Sequence, residues 1–267
     1  MHARDVRDPA VMDMLRCGRI EVTGRILSAS NATLVGTVEA DGVSAECVYK
    51  PVRGERPLWD FPDGTLAGRE VASYLVSEAA GWGLVPPTVL RDGQFGPGMV
   101  QLWIDTDADV ELVDVVEPRA VPDGWRVVLH ARDHRGNPAV LAHADRPELR
   151  RMALLDDVIN NADRKGGHVL VAGDGQVYGV DHGVSMHTDD KLRTVLWGWV
   201  GEPVPEELIE GLGRLRRELD GTLCTTLTEH LSRAEVAALS DRVARLLAEP
   251  EFPAPSGHGP AIPWPAF

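Results

Sequence analysis

The feature that most constrains the fold of this chain is a pair of acidic loops joined by a short hairpin. The first loop reads Asn160-Asn161-Ala162-Asp163-Arg164-Lys165-Gly166-Gly167-His168, the second Val180-Asp181-His182-Gly183. Between them, Val169-Leu170-Val171 reads as a strand, Gly173-Asp174-Gly175 as a turn and Val177-Tyr178-Gly179-Val180 as the returning strand. A hairpin closed in this way carries Asp181 back beside His168. Asp163 precedes His168 by five residues and Asp181 by 18. Two carboxylates so placed suit phosphoryl transfer, where one orients an attacking hydroxyl and the other holds a metal that bridges nucleotide phosphates. Each fragment alone is an ordinary turn; order, spacing and the intervening hairpin together make the combination specific.

The layout Asp163-Arg164-Lys165-x-x-His168 followed by Asp181-His182-Gly183 resembles the catalytic and metal loops of the kinase superfamily. The similarity is to its atypical branch of phosphatidylinositol 3/4-kinases, HipA-type kinases and secretory-pathway kinases. That branch carries an Asp-Arg-His-x-x-Asn catalytic loop and an Asp-x-Gly metal loop. Here Lys165 stands where the lipid kinases have histidine, and His168 where the family has asparagine. The resemblance implies that Asp163 orients or deprotonates the acceptor hydroxyl and that Lys165 neutralises charge on the transferred group. It also implies that Asp181 binds a divalent metal with His168 as co-ligand. An imidazole in that set favours manganese over magnesium.

Two further parts of such a site stand upstream in the expected order. Ala45-Glu46-Cys47-Val48-Tyr49-Lys50-Pro51 reads as a strand with a lysine near its end. Gly68 to Ala80 reads as an amphipathic helix, with Val71, Leu75 and Ala79 on one face. In kinases the strand lysine holds the α- and β-phosphates and pairs with a helix glutamate, which nominates Lys50 and Glu70. The bland alternative for Glu70 is an acid in the first helical turn, complementing the helix dipole. Residues 24–38 read as a hairpin at the position of the phosphate-covering loop. Its Ser28, Ser30 and Asn31 are candidate phosphate donors and equally ordinary turn formers. No Walker A motif is present. Gln101, Leu102 and Trp103, on the strand Gly98–Ile104, are the candidate adenine contacts.

Composition narrows the partners. Lys+Arg 27 against Asp+Glu 41 gives a net charge of −14. That disfavours nucleic acid, whose phosphates require a basic footprint, and anionic lipid surfaces, which favour polybasic patches. Hydrophobic residues make up 43% of the 267, ample for a packed core. Cys17, Cys47 and Cys224 are odd in number and widely spaced, a pattern of neither a disulfide framework nor a metal site. With no apolar signal region near Met1 and no run of about 18 apolar residues, the expectation is a cytoplasmic protein without a transmembrane segment.

The remaining chain reads as a short helix at 8–17 and a hairpin at Trp125–Val140 near the lobe junction, with His130, His134 and His143 taken as scattered surface histidines. Helices follow at Glu148–Asn161, 205–219 and 233–248, the last opened by a Ser232/Glu235 capping box. The expected architecture is α+β: one two-lobed, protein-kinase-like domain over 1–267. A small antiparallel β-rich N-lobe with hinge spans 18–104, a mainly helical C-lobe spans 105–248, and a proline-rich surface tail spans 249–267. The expected activity is ATP-dependent transfer of the γ-phosphate, with Mg2+ or Mn2+, to a hydroxyl of a protein Ser/Thr, the chain itself included, or of a small molecule. Two alternatives stand beside it. One is a nucleotide-binding regulatory module without turnover; the other is a metal-dependent phosphohydrolase built on the Asp/His cluster, which leaves Lys50 and Glu70 unexplained.

Overall fold

The computed structural model describes residues 9–267 except 28, 30, 63 and 134. Helix α1 (Pro9–Cys17) precedes strands β1 (Arg19–Arg25), β2 (Leu34–Ala40) and β3 (Val43–Pro51). Helix α2 (Leu66–Ala79) follows, then β4 (Thr88–Gly93) and β5 (Gly96–Leu102). The five strands form one antiparallel sheet in the order β1-β2-β3-β5-β4. Alternation along β3 decides which side chains meet which helix. Cys47 and Tyr49 lie in a cluster with Val11, Met14 and Leu15 of α1. Lys50 pairs with Met99 of β5, and Met99 packs on Ala67 and Val71 of α2. The sheet is therefore sandwiched between α1 and α2, and its period of two places Lys50 on the α2 side.

Strands β6 (Val113–Val116), β7 (Trp125–Arg132) and β8 (Pro138–Ala144) come next, followed by helix α3 (Pro147–Val158). The expected Trp125–Val140 hairpin is two-thirds of a larger unit, because β6 pairs with the other side of β8. The central strand β8 is buried from Ala139 to Ala144, which needs cover on both edges. The hairpin β9 (Val169–Val171) and β10 (Val177–Gly179) turns at Gly175, whose φ of 85° favours glycine. Helices α4 (Glu206–Leu219), α5 (Thr222–Leu227) and α6 (Arg233–Ala248) complete the fold. The sequence pattern did not separate α5 from its neighbours.

The main core gathers α3, α4, α6 and the end of α2. Leu149, Met152, Leu155 and Ile159 of the α3 region pack with Leu208, Leu212, Leu239 and Val243. The proline-rich tail is irregular, yet it is no loose surface segment. Phe252 and Pro263 are buried, and Phe252 stacks beside Trp199 with ring centroids 6.2 Å apart. Among the described residues no helix is long and apolar enough to cross a membrane.

His143 on β8, expected at the surface, is instead fully buried against the Trp199 ring, 4.4 Å between centroids, because β8 is the covered central strand of its sheet. Its Nδ1 faces the Ala144 carbonyl at 3.0 Å and its Nε2 accepts from the Gly198 amide at 3.1 Å. One neutral tautomer satisfies both contacts, whereas an imidazolium would aim a second proton at an N–H. Burial lowers the His143 pKa, with Arg126 adding to the shift and Asp145 and the Ala144 carbonyl opposing it. The unfolded chain then binds a proton that the folded chain refuses, so stability is lost as pH falls below about 6.5. Urea unfolding at pH 7.5 and 5.5 is expected to show His143→Gln losing less stability on acidification than wild type, by up to about 1 kcal/mol. An identical pH dependence in the two proteins would contradict this account.

Candidate active site

Helix α2 is set in place by its first turn. Thr65 caps it through Gly68 N, and the Glu55 carboxylate accepts from Leu66 N (3.0 Å) and Ala67 N (2.8 Å). The helix therefore begins two residues before the Gly68 expected from sequence, and Glu70 lies beyond the first turn. The simple dipole explanation for Glu70 loses its basis. The side chain is buried instead, with Oε1 accepting from Lys50 Nζ at 2.6 Å and Oε2 from the His182 amide at 2.8 Å. Lys50 Nζ also donates to Asp181 Oδ1 at 2.7 Å. A strand lysine, a helix carboxylate and a loop carboxylate thus converge from positions 50, 70 and 181.

Their ionisation follows from that packing. Burial works to lower the Lys50 ammonium pKa, but Asp181 and Glu70 outweigh it and hold it above the ordinary value. Lys50 holds the Asp181 carboxyl well below the usual carboxylate range. Burial pushes the Glu70 carboxyl upward, with Lys50 opposing. Asp181 has a φ of 62°, the left-handed region that an aspartate tolerates better than most side chains.

Asp163 lies across the site. Its amide donates to Asn161 Oδ1 at 3.0 Å, and Lys165 Nζ pairs with its Oδ2 at 3.2 Å. Burial raises the Asp163 pKa, while Lys165 pulls it back. The helix that delivers this loop ends in a Schellman motif. Asn160 takes the left-handed position (φ 51°), its amide bonds Asp157 O, and the Asn161 amide bonds Asp156 O. The Asn160 side chain then holds His187 O, Asp189 O and the Lys191 amide. It pins the segment after Asp181 to the end of α3.

Beneath the site sits an ion pair that sequence reasoning missed. Arg164 and Asp156 are both fully buried, joined at 2.8 Å through Nη2 and at 3.1 Å through Nε. Asp156 also accepts from Asn161 Nδ2 (2.9 Å) and Thr194 Oγ1 (3.0 Å). Arg164 Nη1 reaches Val180 O at 3.1 Å, and Nη2 meets His182 Nε2 at 2.6 Å. An arginine in a loop reads from sequence as solvated; only its long-range partners reveal otherwise.

His168 closes the 3-10 turn Gly166–His168, with Nε2 at 3.4 Å from Asp181 Oδ2. Burial lowers its pKa to about 4, so the ring is neutral at physiological pH. Its Nδ1 accepts weakly from the Lys165 amide at 3.5 Å, which leaves the ring proton on Nε2, facing Asp181. Ligation of a metal through Nε2 requires the other tautomer. Among the described residues no cluster of three or more His, Cys, Asp or Glu side chains is arranged to hold a metal alone. Asp181 and, in that other tautomer, His168 offer two donors, a pair that needs further ligands to complete the coordination of a divalent ion.

The remaining candidates are placed less favourably. Ser28 and Ser30 lie outside the described residues. Asn31 Oδ1 accepts from the Arg56 amide at 2.9 Å, which ties its turn to the segment after β3 and occupies that oxygen. Gln101 is buried and donates to Thr88 Oγ1 at 2.8 Å, so its side chain is committed inside the sheet. The Leu102 and Trp103 amides donate to Pro87 O and Glu46 O. A base cannot use those two donors, because strand pairing and the strand-end contact already do.

Comparison with known proteins agrees with this architecture. The chain is 51% identical over 263 residues to protein Rv2133c of Mycobacterium tuberculosis, covering 95% of this chain and 94% of that protein. The chain belongs to the family of Rv2133c. It is also 25% identical over 255 residues to phosphatidylinositol 4-kinase gamma 4 of Oryza sativa subsp. japonica, covering 79% of this chain and 40% of the relative. Among solved structures it is similar to the Golgi casein kinase, with a TM-score of 0.55 and 14% identity over 92% of this chain and 75% of that one. The fold is kinase-like, with an antiparallel sheet in the N-terminal region and helices in the C-terminal region. The resemblance to the superfamily holds at that level. No family model matches the chain.

Removing one partner of a buried, multiply bonded ion pair strands the other charge, at a cost of about 3–5 kcal/mol. Arg164→Met is expected to lower unfolding stability by that order in a denaturant titration. An unchanged midpoint would show that Asp156 finds compensation elsewhere.

Proposed function

We propose that this protein is an ATP-dependent phosphotransferase that moves the γ-phosphoryl group to a hydroxyl. The observation that carries the reading is Lys50 Nζ bonded at once to Glu70 (2.6 Å) and Asp181 (2.7 Å), with the Asp163–Lys165 pair across the site. A strand lysine held by a helix glutamate beside a loop aspartate is the arrangement that grips nucleotide phosphates in kinases. The likeness to a phosphatidylinositol kinase sequence and to the Golgi casein kinase fold supports the same chemistry.

On this reading Glu70 retains Lys50 while phosphate oxygens replace Asp181 as its second partner. The Asp163 carboxylate accepts the proton of the acceptor hydroxyl. The hydroxyl oxygen forms its bond to the γ-phosphorus as the bond to the ADP oxygen breaks. Lys165 offsets charge on the moving group, and the Asn161 side chain holds the Asp163 backbone in register. Asp181, with His168, would hold a divalent metal, magnesium or manganese, which supplies charge neutralisation to the phosphates. Most of the rate enhancement comes from positioning and electrostatics. The acceptor is the hydroxyl of a protein, this chain included, or of a small molecule. The net charge of −14 disfavours an anionic lipid surface.

Transfer from γ-labelled ATP, with magnesium or manganese and with or without a cell extract, tests the reading. Wild type is expected to incorporate label. Asp163→Asn is expected to reduce the rate by about 100-fold or more, and Asp181→Asn and Lys50→Met to abolish it. ATP binding without transfer would instead favour a regulatory nucleotide-binding module. Phosphoester hydrolysis without ATP that survives in Lys50→Met would favour a phosphohydrolase.

A further inference from the structure

The tail that follows α6 ends against the loop that carries Asp163. Its first part is anchored where Phe252 N donates to Glu202 O and Gly201 N to Phe252 O. It then returns along the segment after Asp181. The Ala261 carbonyl accepts from Thr194 N at 3.2 Å and from Trp197 Nε1 at 2.8 Å. Thr194 is the residue whose hydroxyl holds Asp156. Five residues on, the Ala266 carbonyl accepts from the Gly166 amide at 2.8 Å. The Phe267 ring fills the space beside the Gly166 α-carbon, where an added Cβ would lie 2.2 Å from ring Cε1 and 2.6 Å from Cδ1. Gly166 directly follows Lys165 and opens the 3-10 turn that ends at His168.

Core burial accounts for only part of these contacts: Pro263 is buried, and Ile262 and Ala266 pack against the main core. Trp264 is 92% exposed and Phe267 remains 50% exposed, so neither ring is a core anchor. Their backbone neighbours instead meet one catalytic-loop amide and the strip beside Arg164, whose own amide donates to Arg193 O. We propose that residues 261–267 are a positioning strap that holds the Lys165–His168 turn in the geometry needed for transfer. The inference rests on the phosphotransferase reading, and it adds a dependence of the loop on a segment more than 90 residues away in sequence.

Two substitutions in the full chain probe the strap without touching Asp163, Lys165 or His168. Phe267→Ala removes the ring, and Gly166→Ala pushes against it. Hydrogen exchange of the Gly166 amide, followed without any substrate, reads the strap independently of activity. Faster exchange is expected in Phe267→Ala, together with an unchanged thermal midpoint. In transfer assays each single variant is expected to lose about 10- to 100-fold in kcat, with KM for ATP unchanged because Lys50 and Glu70 are untouched. The Gly166→Ala/Phe267→Ala pair is expected to recover part of the loss, since the added methyl occupies the space the ring leaves. Unchanged exchange in Phe267→Ala would overturn the strap. A kcat that stays constant or rises would also overturn it, a rise indicating that the tail obstructs the acceptor. If wild type transfers no phosphate, the phosphotransferase reading fails, and the exchange measurement alone decides whether the tail fixes the loop.

Discussion

The structure turns on a guanidinium with no access to water. Arg164 carries its charge into a fully buried position, and desolvating it together with Asp156 is costly. The cost is tolerable only because every part of the group is used: Asp156 on one side, Val180 O and His182 on the other. That requirement organises the surroundings. To accept from Arg164 through Nε2, His182 must be neutral with its proton on Nδ1, and burial together with Arg164 drives its pKa well below the ordinary value. The Nδ1 then faces Glu70 Oε2 at 4.0 Å, while the His182 amide bonds that same oxygen. One buried arginine thereby links the loop of Asp163, the base of the hairpin and the loop of Asp181 to the helix that holds Lys50.

A second buried pair fixes that helix from the other side. Arg69 Nη2 meets Glu235 of α6 at 2.6 Å, and Arg69 Nη1 donates to Ser185 O at 2.8 Å. Glu235 does two jobs, because its other oxygen receives the Ser232 amide and hydroxyl at the start of α6. Arg69 and Glu70 are adjacent, so the residue that pairs with Lys50 sits beside one tied to the opposite half of the molecule. Swinging α2 outward would break the Lys50 contact and expose two buried charges together. In this protein the Lys50–Glu70 pair is consequently a fixed part of the fold, set by packing between α2 and α6.

The parts of this arrangement that could be read from sequence are those governed by local rules. Hairpin β9–β10 shows in its apolar runs and glycine turn, α3 in its repeat of Leu149, Met152, Leu155 and Ile159, and the α6 start in Ser232 and Glu235. The strand character around Lys50 followed from β3 composition, and that strand's alternation then aimed the lysine at α2. What stayed hidden depends on partners far along the chain. Arg164 and Arg69 look like solvated charges until their carboxylates are located. Glu55 caps a helix 11 residues later, with no capping-box spacing to advertise it. Gln101 looked available for a base because its strand identity was legible while its partner, Thr88, was not. The tail's prolines correctly suggested irregular backbone, but irregularity says nothing about where the carbonyls of Ala261 and Ala266 find their donors.

Charge balance ties the site to the proposed chemistry. Glu70, Asp163 and Asp181 place three carboxylates against the ammonium groups of Lys50 and Lys165, in a chain whose net charge is already −14. The positive charge of Arg164 is neutralised by Asp156 and adds little. A polyphosphate entering this cleft would meet these carboxylates, offset among the described residues by Lys50, Lys165 and Arg193. Taking Lys50 from Asp181 would leave an exposed carboxylate facing the same phosphates. On the proposed reading a cation between the two anions would relieve that repulsion, and the half-exposed Asp181, with a neutral imidazole beside it, is the side chain proposed to share one. On that reading nucleotide and divalent metal bind as a unit, each weakly without the other, and a nucleotide Kd that is the same with and without magnesium would contradict it.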